Sequence, residues 1–462
     1  MVSDKAEKIL KDLEIEYSPE LKVENIKEPP HGLWATLRSM GPTFVLAGAI
    51  VGSGELIATT LLGARIGYVM LWMIILSCLA KVMIQEAIGR YIIATGKGLE
   101  EILDEIPGPR LGASWAVWWS ILLMVSLLVT MAGIFGSQGL AMKGLIGVGS
   151  PNFWGIVVGI VGIALLFRGI YADIERVMVT LVVAFSIITT FLAFIGLQFT
   201  PYAYSISDIA SGLQFKLPAA GMAVAISVFG MTGLSANELV QYTYWAKGKG
   251  YAAWTGPKGT SGWEERAKGW IRVMRLDLIV GCVVYTLVTI AFYVLGAAVL
   301  HRMGITPGGM KLVEDLANMY TQTLGGWAKI LFMFAAFVVL WSTYLVNSAG
   351  ISRVVGDGFI RAKICKVSNL GQVLSWRRFF LIVGPLLMFL LYYVFPSPAG
   401  LVVLGGMLLS ISLPIIAIIA LLLHYKIKRQ APEFSIGPLG DVLLWISVVV
   451  NITFVVGGYL LL

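Results

Sequence analysis

Apolar residues run along this chain in long blocks, separated by short polar connections. Eleven blocks approach or exceed the roughly 20 residues that a helix needs to cross a bilayer. Their pattern predicts spans over approximately 41–66, 68–92, 114–138, 152–168, 176–198, 220–245, 272–300, 326–352, 378–395, 399–425 and 439–461. Pro107-Gly108-Pro109, Pro201, Pro218, Pro307-Gly308-Gly309 and Pro396-Ser397-Pro398 mark the connections. The chain thus divides into a tail (1–40), a membrane core (41–425) and a peripheral eleventh helix (439–462). Within the core, spans 1–5 (about 41–198) and spans 6–10 (about 220–425) form two sets of five.

The first member of each set carries the same interruption. Span 1 reads Val51-Gly52-Ser53-Gly54-Glu55-Leu56-Ile57, and span 6 reads Leu234-Ser235-Ala236-Asn237-Glu238-Leu239-Val240. Each acid follows three small residues and has a Thr five positions on, Thr60 and Thr243. Gly, Ser and Asn in mid-span weaken a helix and free backbone polar groups. In lipid those groups need protein or water partners, so such breaks survive where they line a cavity. Matching breaks in two halves point to a transporter's substrate site at the midplane. An odd number of spans per half forces opposite topologies, so the halves read as an inverted repeat.

Composition agrees with a polytopic membrane protein. Of 462 residues, 58% are hydrophobic and 13% charged, against about 25% charged in a soluble domain. The net charge of +8 is spread over separate loops, which excludes a nucleic-acid patch and sets orientation instead. Lys247, Lys249, Lys258, Arg266, Lys268, Arg272 and Arg275 share one loop region, and Arg353, Arg361, Lys363, Lys366, Arg377 and Arg378 another. These place the N-terminus in the cytoplasm and the C-terminus outside, in a bacterial-type plasma membrane. The charged N-terminal segment (Asp4, Glu7, Lys8, Lys11, Asp12, Glu14, Glu16) reads as a solvated tail without chemistry. Cys78, Cys282 and Cys365 have no metal-ligand spacing, and the first two read as small core residues.

The segments Gly41-Pro42-Thr43-Phe44, Gly63-Ala64-Arg65-Ile66-Gly67-Tyr68 and Leu71-Trp72 around the first break resemble the start of the Nramp family of divalent-metal transporters. So do Ala94-Thr95-Gly96-Lys97 after span 2 and Leu409-Ser410-Ile411-Ser412-Leu413-Pro414 in span 10. The resemblance implies an all-α LeuT-like fold, a 5+5 inverted repeat with helices 1 and 6 broken, and transport by alternating access. It also implies a divergent member. The family's first-helix Asp-Pro-Gly-Asn becomes Gly52-Ser53-Gly54-Glu55. Its sixth-helix Met-Pro-His falls on Leu234-Ser235-Ala236, and its tenth-helix Gln on Gly406.

Glu55 and Glu238 are then the candidate metal ligands, since ionisable groups deep in a span are functional by default. Gly52, Ser53, Gly54, Thr232, Gly233, Leu234, Ser235, Ala236, Asn237 and Gly406 complete the candidate substrate site. Two carboxylates with freed carbonyls and hydroxyls make an oxygen-rich site without Met, His or Cys, suited to a hard cation of the Mg²⁺ or Mn²⁺ class. The alternative is a small organic solute, such as an amino acid or a carboxylate, held on amides freed by Ile50-Val51-Gly52-Ser53-Gly54. No nucleophile–base pair, phosphate loop or cofactor motif supports an enzyme. The expected partners are an ion or small molecule and the lipid bilayer.

Lesser polar features fill in the picture. Span 3 from Ser114 to Gln138 has no ionisable residue, whereas the family uses a third-helix acid for protons, so proton coupling is doubtful. Arg377 and Arg378 stand at the entry of span 9. Lys81 and Glu86 in span 2 are candidates for an internal pair, although five residues apart they share a face poorly. Asn347 and Ser348 are read as path lining or interhelical glue. Asp173, Glu175 and Arg176 read as a solvated cluster, and His31, His301 and His424 form no relay.

Overall fold

The computed structural model describes residues 21–40, 52–168 and 171–462, with side chains throughout except at 171–176 and 370. Ten helices among the described residues are long and apolar enough to cross a membrane. Numbered to match the spans, they are α2 (Leu71–Thr95), α3 (Trp115–Ile146), α4 (Pro151–Arg168), α5 (Tyr171–Phe194), the two-part α6, α7 (Trp263–Leu300), α8 (Ala328–Arg361), α9 (Leu370–Val394), α10 (Pro398–Gln430) and α11 (Pro438–Leu460). The described half of the first span, α1, runs from Gly54 to Ile66. Residues 41–51, the N-terminal acids and bases, and the Asp173, Glu175 and Arg176 side chains lie outside the described residues.

Several helices overrun their expected ends. α7 starts at Trp263 rather than 272, α8 continues to Arg361 rather than 352, and α10 to Gln430 rather than 425. All three extensions carry basic residues. Hydropathy stops where the bilayer stops, whereas the backbone hydrogen-bond ladder continues into water. The described part of the tail is tied down around Lys27. Its amide donates to Trp254 O (3.0 Å) and its carbonyl accepts from Trp270 Nε1 (3.0 Å), so this stretch docks on the basic loop.

Burial separates a core from a lipid-facing rim. In α6, 89% of the most apolar stretch is buried, against 28% in α4 and in α9. α10 packs on α3 and α6, α8 on α3, and α7 on α2 and α5. Exposed Phe153, Ile160, Leu386, Leu390, Val442 and Val449 lie on α4, α9 and α11. Such apolar surface suits a bilayer and not water.

At the basic ends, Arg377 and Asp357 join α9 to α8 through two parallel bonds of 2.8 and 2.6 Å. Because α9 begins at Leu370, Arg377 is inside the helix rather than at its entry. Arg378 instead lies over the Phe167 ring, 5.6 Å from its centroid. Removing one partner of a buried ion pair costs on the order of 3–5 kcal/mol. Asp357→Ala is therefore expected to unfold at a lower temperature in detergent. A midpoint equal to wild type would show that this pair holds nothing.

Candidate functional site

The sixth span breaks where its sequence turns small. α6a (Met222–Met231) ends, Thr232 is extended, and Gly233 adopts φ +70°. α6b (Ala236–Lys249) then starts from Ser235. A side chain at Gly233 would be strained by that φ, and its Cβ would lie 3.2 Å from both Cys78 Cα and the Tyr285 ring. The break thus covers Thr232–Ser235 and ends before the small-residue triplet does. Ala236 and Asn237 already belong to the first turn of α6b. The reason is local: Glu238 Oε2 accepts from the Ser235 amide at 2.7 Å, closing a capping box. The Ser235 hydroxyl is shared between that carboxylate (2.9 Å) and Asn237 Oδ1 (2.5 Å).

In the first span, Ser53 and Gly54 are helical rather than unwound. Any interruption before Gly52 lies outside the described residues. α1 opens with a π-helical turn, Gly54–Thr59, before normal α-helix from Thr60 to Ile66. The Thr59 and Thr60 hydroxyls bond back to Gly54 O (2.9 Å) and Glu55 O (3.3 Å). Single π turns recur at functional sites because they re-aim one side chain. Here that side chain is Glu55, 1% exposed. Its Oε2 accepts from the Gly52 amide at 3.3 Å, and its Oε1 has no partner among the described residues.

The start of α1 meets the end of α6a. A Cβ on Gly54 would lie 3.2 Å from Met231 Cβ and 3.4 Å from Met231 O. From α10, a Cβ on Gly406 would come within 2.2 Å of Ser227 Oγ and 2.9 Å of Met231 Sδ, so only glycine fits this approach without rearrangement. Glu238 closes onto Ser235 at the end of the break, and Lys81 Nζ lies 2.7 Å from Thr232 O at its start. The structure therefore gathers Gly54, Glu55, Thr232 to Glu238 and Gly406 around one point. Gly52 and Ser53 lead into it, and Leu234, fully buried, supplies an apolar wall.

Four contributors escaped the sequence reading. Lys81 is fully buried and does not pair with Glu86. Its Nζ donates to Phe229 O (2.6 Å), Thr232 O (2.7 Å) and Ser77 Oγ (3.1 Å). Glu86 instead binds Arg90 (2.7 Å) and Arg275 of α7 (3.4 Å). Ser227 Oγ is buried and has no partner among the described residues. Two sulfur atoms also lie beside the break. The Met231 thioether faces Gly406, and Cys78 Sγ sits beside Gly233. Lys81 and the sulfur residues stood out in the sequence only as polar or polarizable groups in apolar spans. Which way they faced was not visible.

Asn347 accepts from Asn237 Nδ2 and Gln241 Nε2, both at 3.2 Å, and so bonds α8 to α6b. Ser348 Oγ has no partner among the described residues. His301 Nδ1 lies 2.9 Å from Ala64 O, and His424 Nε2 lies 2.6 Å from Asp441 Oδ1, both outside the site. No group of three or more His, Cys, Asp or Glu side chains is placed to hold a metal among the described residues. Any cation here would rely on one or two carboxylates with backbone and hydroxyl oxygens. Gly230 and Met231 end α6a, where a helix leaves its last carbonyls without intrahelical partners.

Residues 43–462 match the family model for natural resistance-associated macrophage protein-like (Nramp) proteins. The chain belongs to the Nramp family. It is 26% identical over 433 residues to the divalent metal cation transporter MntH of Pediococcus pentosaceus, covering 89% of each chain. In fold it is similar to the manganese transporter of Eremococcus coleocola, with a TM-score of 0.65 at 15% identity over 94% of this chain and 90% of that one. MhsT in complex with L-phenylalanine also shares the fold, with a TM-score of 0.53 at 15% identity over 94% and 99%. This Nramp protein is thus an integral membrane protein of the LeuT-like fold, with its sixth helix broken over Thr232–Ser235.

Proposed function

We propose that this Nramp protein carries a divalent cation of the Mn²⁺ class across the membrane by alternating access, with Glu55 as its principal ligand. The observation that carries this reading is the buried Glu55 carboxylate, one oxygen unpartnered, where α1 meets the open carbonyl end of α6a. Carboxylate, carbonyl and hydroxyl oxygens suit Mg²⁺ and Mn²⁺ alike, and the thioether of Met231 tilts the set towards Mn²⁺. Glu238 offers its second oxygen while its first closes the capping box. Gly52, Ser53, Thr232, Gly233, Ser235 and Asn237 shape the surround, Ala236 leaves room for bound water, and Gly406 lets α10 approach Ser227 and Met231. The MntH and manganese-transporter relatives support the cargo class.

The organic-solute reading is weaker on this geometry. It needs free amides at the half-helix N-termini to hold a substrate anion. Both ends already carry their own acid, Glu55 on Gly52 and Glu238 on Ser235. The basic loops support a cytoplasmic N-terminus and an external C-terminus.

Uptake of Mn²⁺ into liposomes holding the purified protein tests the reading. Uptake of an amino or carboxylic acid with no Mn²⁺ flux would reverse it. A second test addresses the sulfur. Met231→Leu keeps volume and removes the thioether, so Cd²⁺ should lose about tenfold as a competitor of Mn²⁺, the loss of a contact of roughly 1.4 kcal/mol. Mg²⁺ competition should be unchanged. Equal Cd²⁺ competition in both proteins would remove Met231 from the ligand set.

A further inference from the structure

Lys81 is fully buried and makes no ion pair among the described residues. α2 is interrupted beside it: one helical segment ends at Leu79 and the next begins at Val82. Asn451 of α11 takes the Ala80 carbonyl at 3.2 Å. From this interruption the Lys81 ammonium reaches the end of α6a, and each of its three protons has an acceptor: Phe229 O, Thr232 O and Ser77 Oγ. The Phe229 ring covers it at 5.2 Å from the centroid. Ser77 Oγ in turn contacts Phe229 O (3.2 Å) and Thr232 Oγ1 (2.9 Å). Two carbonyls, a hydroxyl and a π face around one buried charge make a coordination shell for a monovalent cation. The carbonyls belong to the last turn of α6a and to the break, where the helix dipole and unmatched acceptors favour positive charge.

We infer that Lys81 is a tethered cation, occupying a built ammonium site that fixes the open end of α6a for the cargo. This rests on the transport reading for its activity test only. Lys81 is a positioning residue here: it holds Phe229 and Thr232, while Gly230, Met231 and Glu55 remain for the cargo. The site is chemically that of NH₄⁺ or a small primary amine. Truncating the side chain should leave that site open to a free amine.

The experiment uses purified full-length Lys81→Ala, Lys81→Met and wild type. Lys81→Ala should lose at least about tenfold in Mn²⁺ uptake, since three hydrogen bonds to a charged group disappear. Methylammonium, equal on both sides of the liposome membrane, should restore part of it and leave wild type unaffected. Lys81→Met fills the same volume without charge and should not be rescued. Independently of transport, methylammonium should raise the unfolding temperature of Lys81→Ala in detergent and not that of Lys81→Met. If wild type moves no Mn²⁺ but the amine still stabilises Lys81→Ala selectively, the transport reading fails and the tethered cation stands. Wild-type uptake and stability in Lys81→Ala, or losses that no amine restores in either assay, would overturn it.

Discussion

Glu55→Gln is expected to abolish Mn²⁺ uptake, by about a hundredfold or more, while the protein still folds. Taking one charge from a buried contact costs several kcal/mol when the partner is an ion. The amide keeps the carboxylate's volume, and the Gly52 N–H keeps an oxygen acceptor. The unpartnered Oε1 is what changes, and it faces the break rather than a structural partner. Glu86 is a poor control for this, because its bonds to Arg90 and Arg275 make it structural. Glu314→Gln is better: that acid is exposed and pairs only with Lys329 at 3.0 Å among the described residues. Initial uptake rates in liposomes at matched protein density decide the matter. Glu55→Gln transporting like Glu314→Gln would show that Glu55 does not touch the cargo.

Much of the architecture was legible because the bilayer enforces it. Spans must be long, apolar and internally hydrogen-bonded, so periodicity and Pro/Gly punctuation locate them. The small-residue triplet located the interruption of the sixth span, although its edges moved, whereas Ser53 and Gly54 of the first span are helical. Ser235-Ala236-Asn237-Glu238 carries a capping-box signature, and that local bond pulled Asn237 and Glu238 into α6b. At Gly52-Ser53-Gly54 the composition suggested unwinding, but a π turn absorbed the irregularity with the help of Thr59 and Thr60. Lys81 marks where sequence reasoning runs out. Its acceptors lie 148 and 151 residues away, and nothing local says that α2 packs against the end of α6a. Met231 differs in kind. It adjoins Thr232, yet the direction of its sulfur depends on Gly406 in a helix about 175 residues later.

The second large effect concerns protons. Mn²⁺ uptake by this Nramp protein is expected to proceed without acidifying the liposome interior. The family's proton path uses a third-helix acid, and from Ser114 to Gln138 α3 offers only apolar and neutral polar side chains. Its buried Gln138 has neither polar atom partnered among the described residues, but an amide does not exchange its charge state. The ninth helix gives no substitute, since Arg377 is held by Asp357 and Arg378 lies on Phe167. Of the remaining acids near the break, Glu55 is the proposed cation ligand and Glu238 closes the α6b capping box. Liposomes loaded with a pH dye and a Mn²⁺-responsive dye read both fluxes at once. The expected result is a Mn²⁺ signal driven by its own gradient and the membrane potential, with a flat pH trace. Acidification that tracks Mn²⁺ entry and disappears with wild-type protein omitted would require a proton carrier after all. Glu238 would then be first to examine, because its Oε2 is bonded to Ser235 while the carboxylate is only partly buried. Loss of acidification with retained Mn²⁺ uptake in Glu238→Gln would assign the proton to that residue.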